Sequence, residues 1–141
     1  MTRIDFHIHV ADWLGYACRL TRKVVTAGQR LVVVGEPAHL REFDQQLWTF
    51  SALEFVPHCA LDDALAPHTP VLLASTLGDA DTAPHYQVLL NLSNAVPSQF
   101  ARFERVLEVV GRDPQALADA RERYRFYRDR GYTLNNYDQR S

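Results

Sequence analysis

Cysteine is scarce in this chain. Its two thiols, Cys18 in a helical pattern and Cys59 in a loop, form no CxxC pair, which excludes a disulfide framework and a zinc ribbon. No apolar run approaches the ~18 residues of a membrane span, and the opening MTRIDFHIHVADW has no basic region leading into a long apolar stretch. A soluble, cytoplasmic protein is expected. An excess of positive charge is also missing: 15 Lys and Arg stand against 17 Asp and Glu, for a net charge of -2 and a pI near 6.3. That balance excludes broad, non-specific binding of nucleic acid and leaves room only for a local basic patch. The glycine fingerprints GxGxxG and GxxxxGK[ST] are absent, and in the turn Val34-Gly35-Glu36-Pro37, where a dinucleotide fold carries its phosphate loop, Glu36 would repel a phosphate. There is no GxSxG elbow, no signature of a catalytic thiol, no internal repeat and no low-complexity tract. No cofactor is expected.

What remains is 141 residues, 47% of them hydrophobic, enough to bury roughly 68% of the unfolded surface in one domain spanning residues 1–141. Residues 4–10 alternate Ile4, Phe6, Ile8 and Val10 with Asp5, His7 and His9, the period of a strand with one buried face. Asp12 caps a helix over 13–27, in which Trp13, Tyr16, Ala17, Leu20 and Val24 recur at helical spacing and Gly28 closes the end. The apolar run 31–34 reads as a strand covered on both faces. A second helix starts at Glu36-Pro37 and buries Leu40, Phe43 and Leu47. Residues 71–74, 88–92 and 103–110 supply later strands, while 58–70 and 77–85, rich in Pro, Asp, Ala and Gly, read as loops. Asp113-Pro114 opens a last helix that Gly131 ends. Strands alternating with helices predict an α/β fold, a three-layer Rossmann-like domain with a mostly parallel sheet flanked by helices.

Three groups of residues carry candidate chemistry. His7 and His9 point the same way from a strand and, with Asp5, could hold a metal, which would make the protein a small metal-dependent hydrolase. The known hydrolases of that kind need a barrel of roughly 250 residues with further ligands, and His39, His58, His68 and His85 have no ligand spacing, so a solvated or edge strand face is the expected reading. The segment LWTFSALEFVPH, residues 47–58, places large apolar groups where a helix gives way to a loop and fits either core or an interface.

The third group lies in residues 120–138, ARERYRFYRDRGYTLNNYD, which hold five arginines and four tyrosines. On the last helix Ala116, Leu117, Ala120, Tyr124 and Tyr127 share one face, with Arg121, Arg125 and Arg128 along its edge. Arg123 has Asp119 four residues before it as a partner. Arg125 has Glu122 and Asp129 within reach, whereas Arg121 and Arg128 have no acidic residue three or four positions away. Forked, permanently charged donors beside apolar and aromatic surface suit a carboxylate-bearing peptide with an apolar end. Direct contact with a bare single strand through the same rings and arginines is the other anion this composition permits.

The helix RERYRFYRDRGYTLNNYD, the segment LWTFSALEFVPH and the opening strand, helix and GQRLVVV together resemble the chi subunit family of bacterial DNA polymerase III over nearly the full chain, with residues 61–85 the most variable. The resemblance implies a non-catalytic adaptor with a Rossmann-like fold that has lost nucleotide binding. It implies two partners: the psi subunit, which connects the family to the clamp loader, and the acidic, apolar-ended C-terminal tail of single-stranded-DNA-binding protein. Carried onto this sequence, the tail site falls on Arg121, Tyr124 and Arg125, with Arg128 on the same ridge and Val110 as a wall, and the psi interface on Trp48, Phe55, Val56 and Pro57. At Arg125 the family pattern also allows a Lys.

Overall fold

Residues 2–49, 56–77 and 82–140 are described by the computed structural model. In chain order the elements are β1 (Arg3–Ile8), α1 (Trp13–Thr26), β2 (Leu31–Val34), α2 (Pro37–Thr49), β3 (His58–Ala60), β4 (Val71–Ala74), β5 (Val88–Asn91), β6 (Arg105–Val109), α3 (Pro114–Asp129) and β7 (Thr133–Asp138). The strands form one sheet in the order β3-β4-β2-β5-β6-β1-β7, and every neighbouring pair is parallel. The expected α/β, Rossmann-like three-layer arrangement is therefore present.

The topology follows from a single crossover hand. Chain moves from β1 to β2 and from β2 to β3 run one way along the sheet, and their helices α1 and α2 lie on one face, where Leu14, Ala17, Leu40, Phe43 and Leu47 pack on Leu31, Val33, Val88 and Leu107. The move from β6 to β7 runs the other way, so α3 lies on the opposite face, over Ile4, Phe6, Val32, Leu89 and Val106. Phe100, Phe103 and Leu77, from the connections after β5 and β4, complete that second core. Buried on both sides, the middle strands read as unbroken apolar runs, as LVVV and VLLN do.

Helix ends follow the expected chemistry. Asp12 accepts a hydrogen bond from the Gly15 N–H at 3.2 Å, and Asp113 accepts one from Ala116 at 3.0 Å. Gly28 and Gly131, both at φ +81°, take the left-handed turn that closes α1 and α3.

Several sequence expectations require correction. The first strand stops at Ile8 and does not reach Val10, because His9 adopts φ +59° and turns the chain. Asp5 is not on a solvated face: β1 lies between β6 and β7, and Asp5 is buried beneath Arg3 and Arg105. The expected loop 58–70 contains β3, which carries Cys59, and a 3-10 turn at Ala66–His68. A three-residue edge strand paired through its backbone is too short to show a period. β7 was not expected either; its sequence TLNNYD is polar because it forms the sheet's exposed edge. Of the other expected loop, residues 78–81 lie outside the described residues.

Candidate functional site

α3 lies with Ala120, Arg123 and Tyr127 buried against the sheet, and the rest of its sequence decides what its flanks present. Tyr127 is fully buried and meets Phe6 and Phe100 edge-on at 6.0 and 5.1 Å between ring centroids. One turn earlier, half-buried Tyr124 packs edge-on against Phe6 at 5.4 Å, and its hydroxyl accepts a 3.4 Å hydrogen bond from Asn136 of β7. The sheet thus holds the Tyr124 ring at the rim of the core. Arg121, exposed one turn away on this flank, makes no ion pair or hydrogen bond among the described residues. Arg125 pairs with Glu122 at 2.7 Å, both side chains more than half exposed.

Two arginines depart from expectation. Arg128 is answered by the next residue, Asp129, at 3.1 Å, because exposed side chains at adjacent positions can bend toward each other around the helix end. Arg123 does not pair with Asp119, which accepts instead from Gln115 at 3.0 Å. It turns inward: its Nε donates to Glu108 of β6 at 3.1 Å and its Nη1 to the Asn94 carbonyl at 3.2 Å. Glu108, wholly buried, also accepts from Asn91 at 3.0 Å and from the Tyr127 hydroxyl at 2.8 Å. Burial pushes the Glu108 carboxyl up from its ordinary range, while Arg123 and the hydrogen-bond donors pull against that rise. The signal in the sequence was the acid inside LEVV, since a charge in a fully buried strand demands a partner.

Val110 is buried just past β6, in the same apolar cluster that Tyr124 packs against. It lines a cavity of about 480 Å³ at the carboxyl ends of β1, β2, β5 and β6, on the α3 flank that carries Asp119 and Arg123. Arg121, Tyr124, Arg125 and Arg128 do not line it. This crevice is where α/β folds of this kind hold ligands. Here it is lined by the carboxylates of Glu36, Asp113 and Asp119, while its two arginines are engaged elsewhere: Arg112 on the His9 carbonyl at 3.1 Å, Arg123 on Glu108. Such a lining is unsuited to a phosphate.

At the other side of the sheet, Trp48 near the end of α2 is 56% exposed and packs edge-on against His58 at 5.2 Å. His58 places Nδ1 2.7 Å from the Val56 carbonyl and Nε2 2.8 Å from Asp44. Val56 is buried in the α1/α2 core and Pro57 is exposed, so only part of this group presents surface. Phe55 lies outside the described residues.

Asp5, His7 and His9 do not converge. Asp5 is clamped by Arg3 at 3.4 Å, Arg105 at 3.2 Å and Asn135 at 2.9 Å, and His7 Nδ1 lies 2.6 Å from the Tyr16 hydroxyl. Among the described residues no three His, Cys, Asp or Glu side chains are placed to share a metal ion, and no helix is long and apolar enough to cross a membrane.

Comparison with known proteins gives a consistent result. Residues 1–135 match the family model for the DNA polymerase III chi subunit, HolC. The chain is similar to the DNA polymerase III subunit chi of Pseudomonas aeruginosa, with 36% identity over 97% of this chain and 96% of that protein. It is also similar to the subunit of the same name from Haemophilus influenzae, with 30% identity over 84% of this chain and 82% of that protein.

Proposed function

The chain belongs to the DNA polymerase III chi subunit family, an accessory subunit and not a catalytic chain, and on that premise we propose that it is a cytoplasmic adaptor with two docking surfaces. One takes the acidic C-terminal tail of single-stranded-DNA-binding protein on the α3 ridge; the other takes the psi subunit of the clamp-loader complex around Trp48, Val56, Pro57 and Phe55. The observation that carries the tail reading is Arg121, exposed and without a partner among the described residues, beside a Tyr124 ring that the sheet holds in place. Arg121 donates charge-assisted hydrogen bonds to tail carboxylates, and the apolar terminal residue packs on Tyr124 and Leu117. Arg125 and Arg128 contribute less, because each must first release Glu122 or Asp129. Val110 acts from beneath, as part of the core on which Tyr124 rests.

The test is a titration of the tail peptide into wild type and Arg121→Glu. Losing a charge-assisted bond and gaining a repulsion weakens binding on the order of tenfold or more. Affinity of the wild type falls as salt rises, since exposed charges are screened over about 8 Å at physiological ionic strength. Equal affinities for the two proteins would remove Arg121 from the site.

A further inference from the structure

The α3 side of β1 and β7 is core, but their other side is not covered as the middle of the sheet is. The apolar cluster beneath α1 and α2 takes no residue from either strand. Asp5 and His7 of β1 and their register partners Asn135 and Tyr137 of β7 form the floor there. The wall is a single stripe of α1, Tyr16, Arg19 and Lys23, at helical spacing and spanning about 10 Å.

Two properties of this surface stand together. The first is a rigid aromatic stack. His7 Nδ1 lies 2.6 Å from the Tyr16 hydroxyl, and the Tyr137 ring lies over His7 at 4.9 Å with 20° between planes. Tyr137 remains 46% exposed. The second is uncompensated positive charge. Arg19 sits over the Tyr16 ring at 5.8 Å, and neither it nor Lys23 has a carboxylate partner among the described residues, though both are exposed. Arg3 and Arg105 share the one buried carboxylate of Asp5. Asp138, the acid next to Tyr137, is held by Arg140. The face thus carries two cations on one interior acid, two more along α1, and an exposed ring stacked on His7.

We propose that this α1–β1–β7 face is a platform for single-stranded nucleic acid, with a base stacked on Tyr137 and neighbouring phosphates held by Arg19, Lys23 and Arg3. An ordered ring beside cations is the arrangement by which single strands are held without regard to sequence, because every base has a π-face. An acidic peptide with an apolar end needs an apolar pocket beside its cations, as Tyr124 and Leu117 offer on α3; here the ring's neighbours on the floor are the polar Asp5, His7 and Asn135, which leave a π-face and no such pocket. The surface is on the opposite side of the sheet from α3 and is independent of the tail site.

The experiment is fluorescence anisotropy of a labelled oligothymidine with the full chain, at low and at physiological salt. Wild type binds at low salt, and log affinity falls with log salt at a slope of about -2, as expected for about three phosphates on a single strand. Tyr137→Ala weakens binding on the order of tenfold, Tyr137→Trp restores it, and Arg19→Glu with Lys23→Glu abolishes it. Arg121→Glu leaves it unchanged, and Tyr137→Ala leaves tail-peptide affinity unchanged. Circular dichroism checks that each variant is folded. The proposal is overturned if wild type does not bind at low salt, if the Tyr137 and Arg19/Lys23 variants bind like wild type, or if the acidic tail peptide displaces the oligonucleotide.

Discussion

Replacing Arg123 with methionine keeps most of the apolar stem and removes the guanidinium, which isolates the energetics of the buried Glu108 network. Glu108 is wholly buried and Arg123 is 6% exposed, so the carboxylate left behind cannot recover its lost partner from water. Breaking a buried pair on one side costs about 3–5 kcal/mol. The lower end applies here, because Asn91 and Tyr127 still donate at 3.0 and 2.8 Å. For a chain of this size that loss lowers the melting temperature by roughly 10 °C. Urea unfolding of wild type and variant measures it. In the variant the folded-state pKa of Glu108, already raised by burial, rises further once Arg123 no longer opposes it. Between the unfolded and folded pKa values the folded state then holds a proton that the unfolded state has lost. Stability of Arg123→Met therefore falls as pH rises through that window and is greatest on its acid side. Adding Glu108→Leu and Tyr127→Phe removes the stranded acceptor and the donor that depended on it, and recovers most of the loss. A cost below about 1 kcal/mol for Arg123→Met, the size expected for the exposed Arg125–Glu122 pair, would refute the reasoning.

Two further outcomes follow. The pKa of His7 is lowered chiefly by burial, with Asp5 opposing and Arg105 and Lys23 adding to the fall, and that of His85 is lowered by burial and then Arg30, with the Thr69 backbone opposing. Below the ordinary histidine pKa of 6.5 the unfolded chain takes up protons that the folded one refuses, so their contribution is complete above that value and is lost as pH falls through the window beneath it. Thermal melts from pH 8 to pH 5 should show this slope, reduced in His7→Gln and reduced further when His85 is also replaced. On the reading of the Trp48 surface as the psi face, Trp48→Ala changes stability by only about 0.5 kcal/mol, as exposed positions do, yet weakens capture of the psi polypeptide in a titration; unchanged capture would move that interface elsewhere.

Most of the fold was legible in the sequence wherever the chemistry is local. The runs LVVV and VLLN, the caps Asp12 and Asp113, and the stops at Gly28 and Gly131 each act over a few residues, so their signal survives in one dimension. The aromatic and arginine content of α3, and the apolar face holding Tyr124 and Tyr127, were legible for the same reason. Pairing was not. The i, i+4 rule assigns Arg123 to Asp119, but a desolvated carboxylate fifteen residues away in sequence outcompetes a solvated one, and only the packing of α3 on β6 brings it within reach. Asp5 and His7 look like a solvated face until β7, a polar strand with no sequence period of its own, arrives beside β1. Tertiary structure alone decided which charges are answered, because that depends on distance and burial, and neither is a property of spacing along the chain.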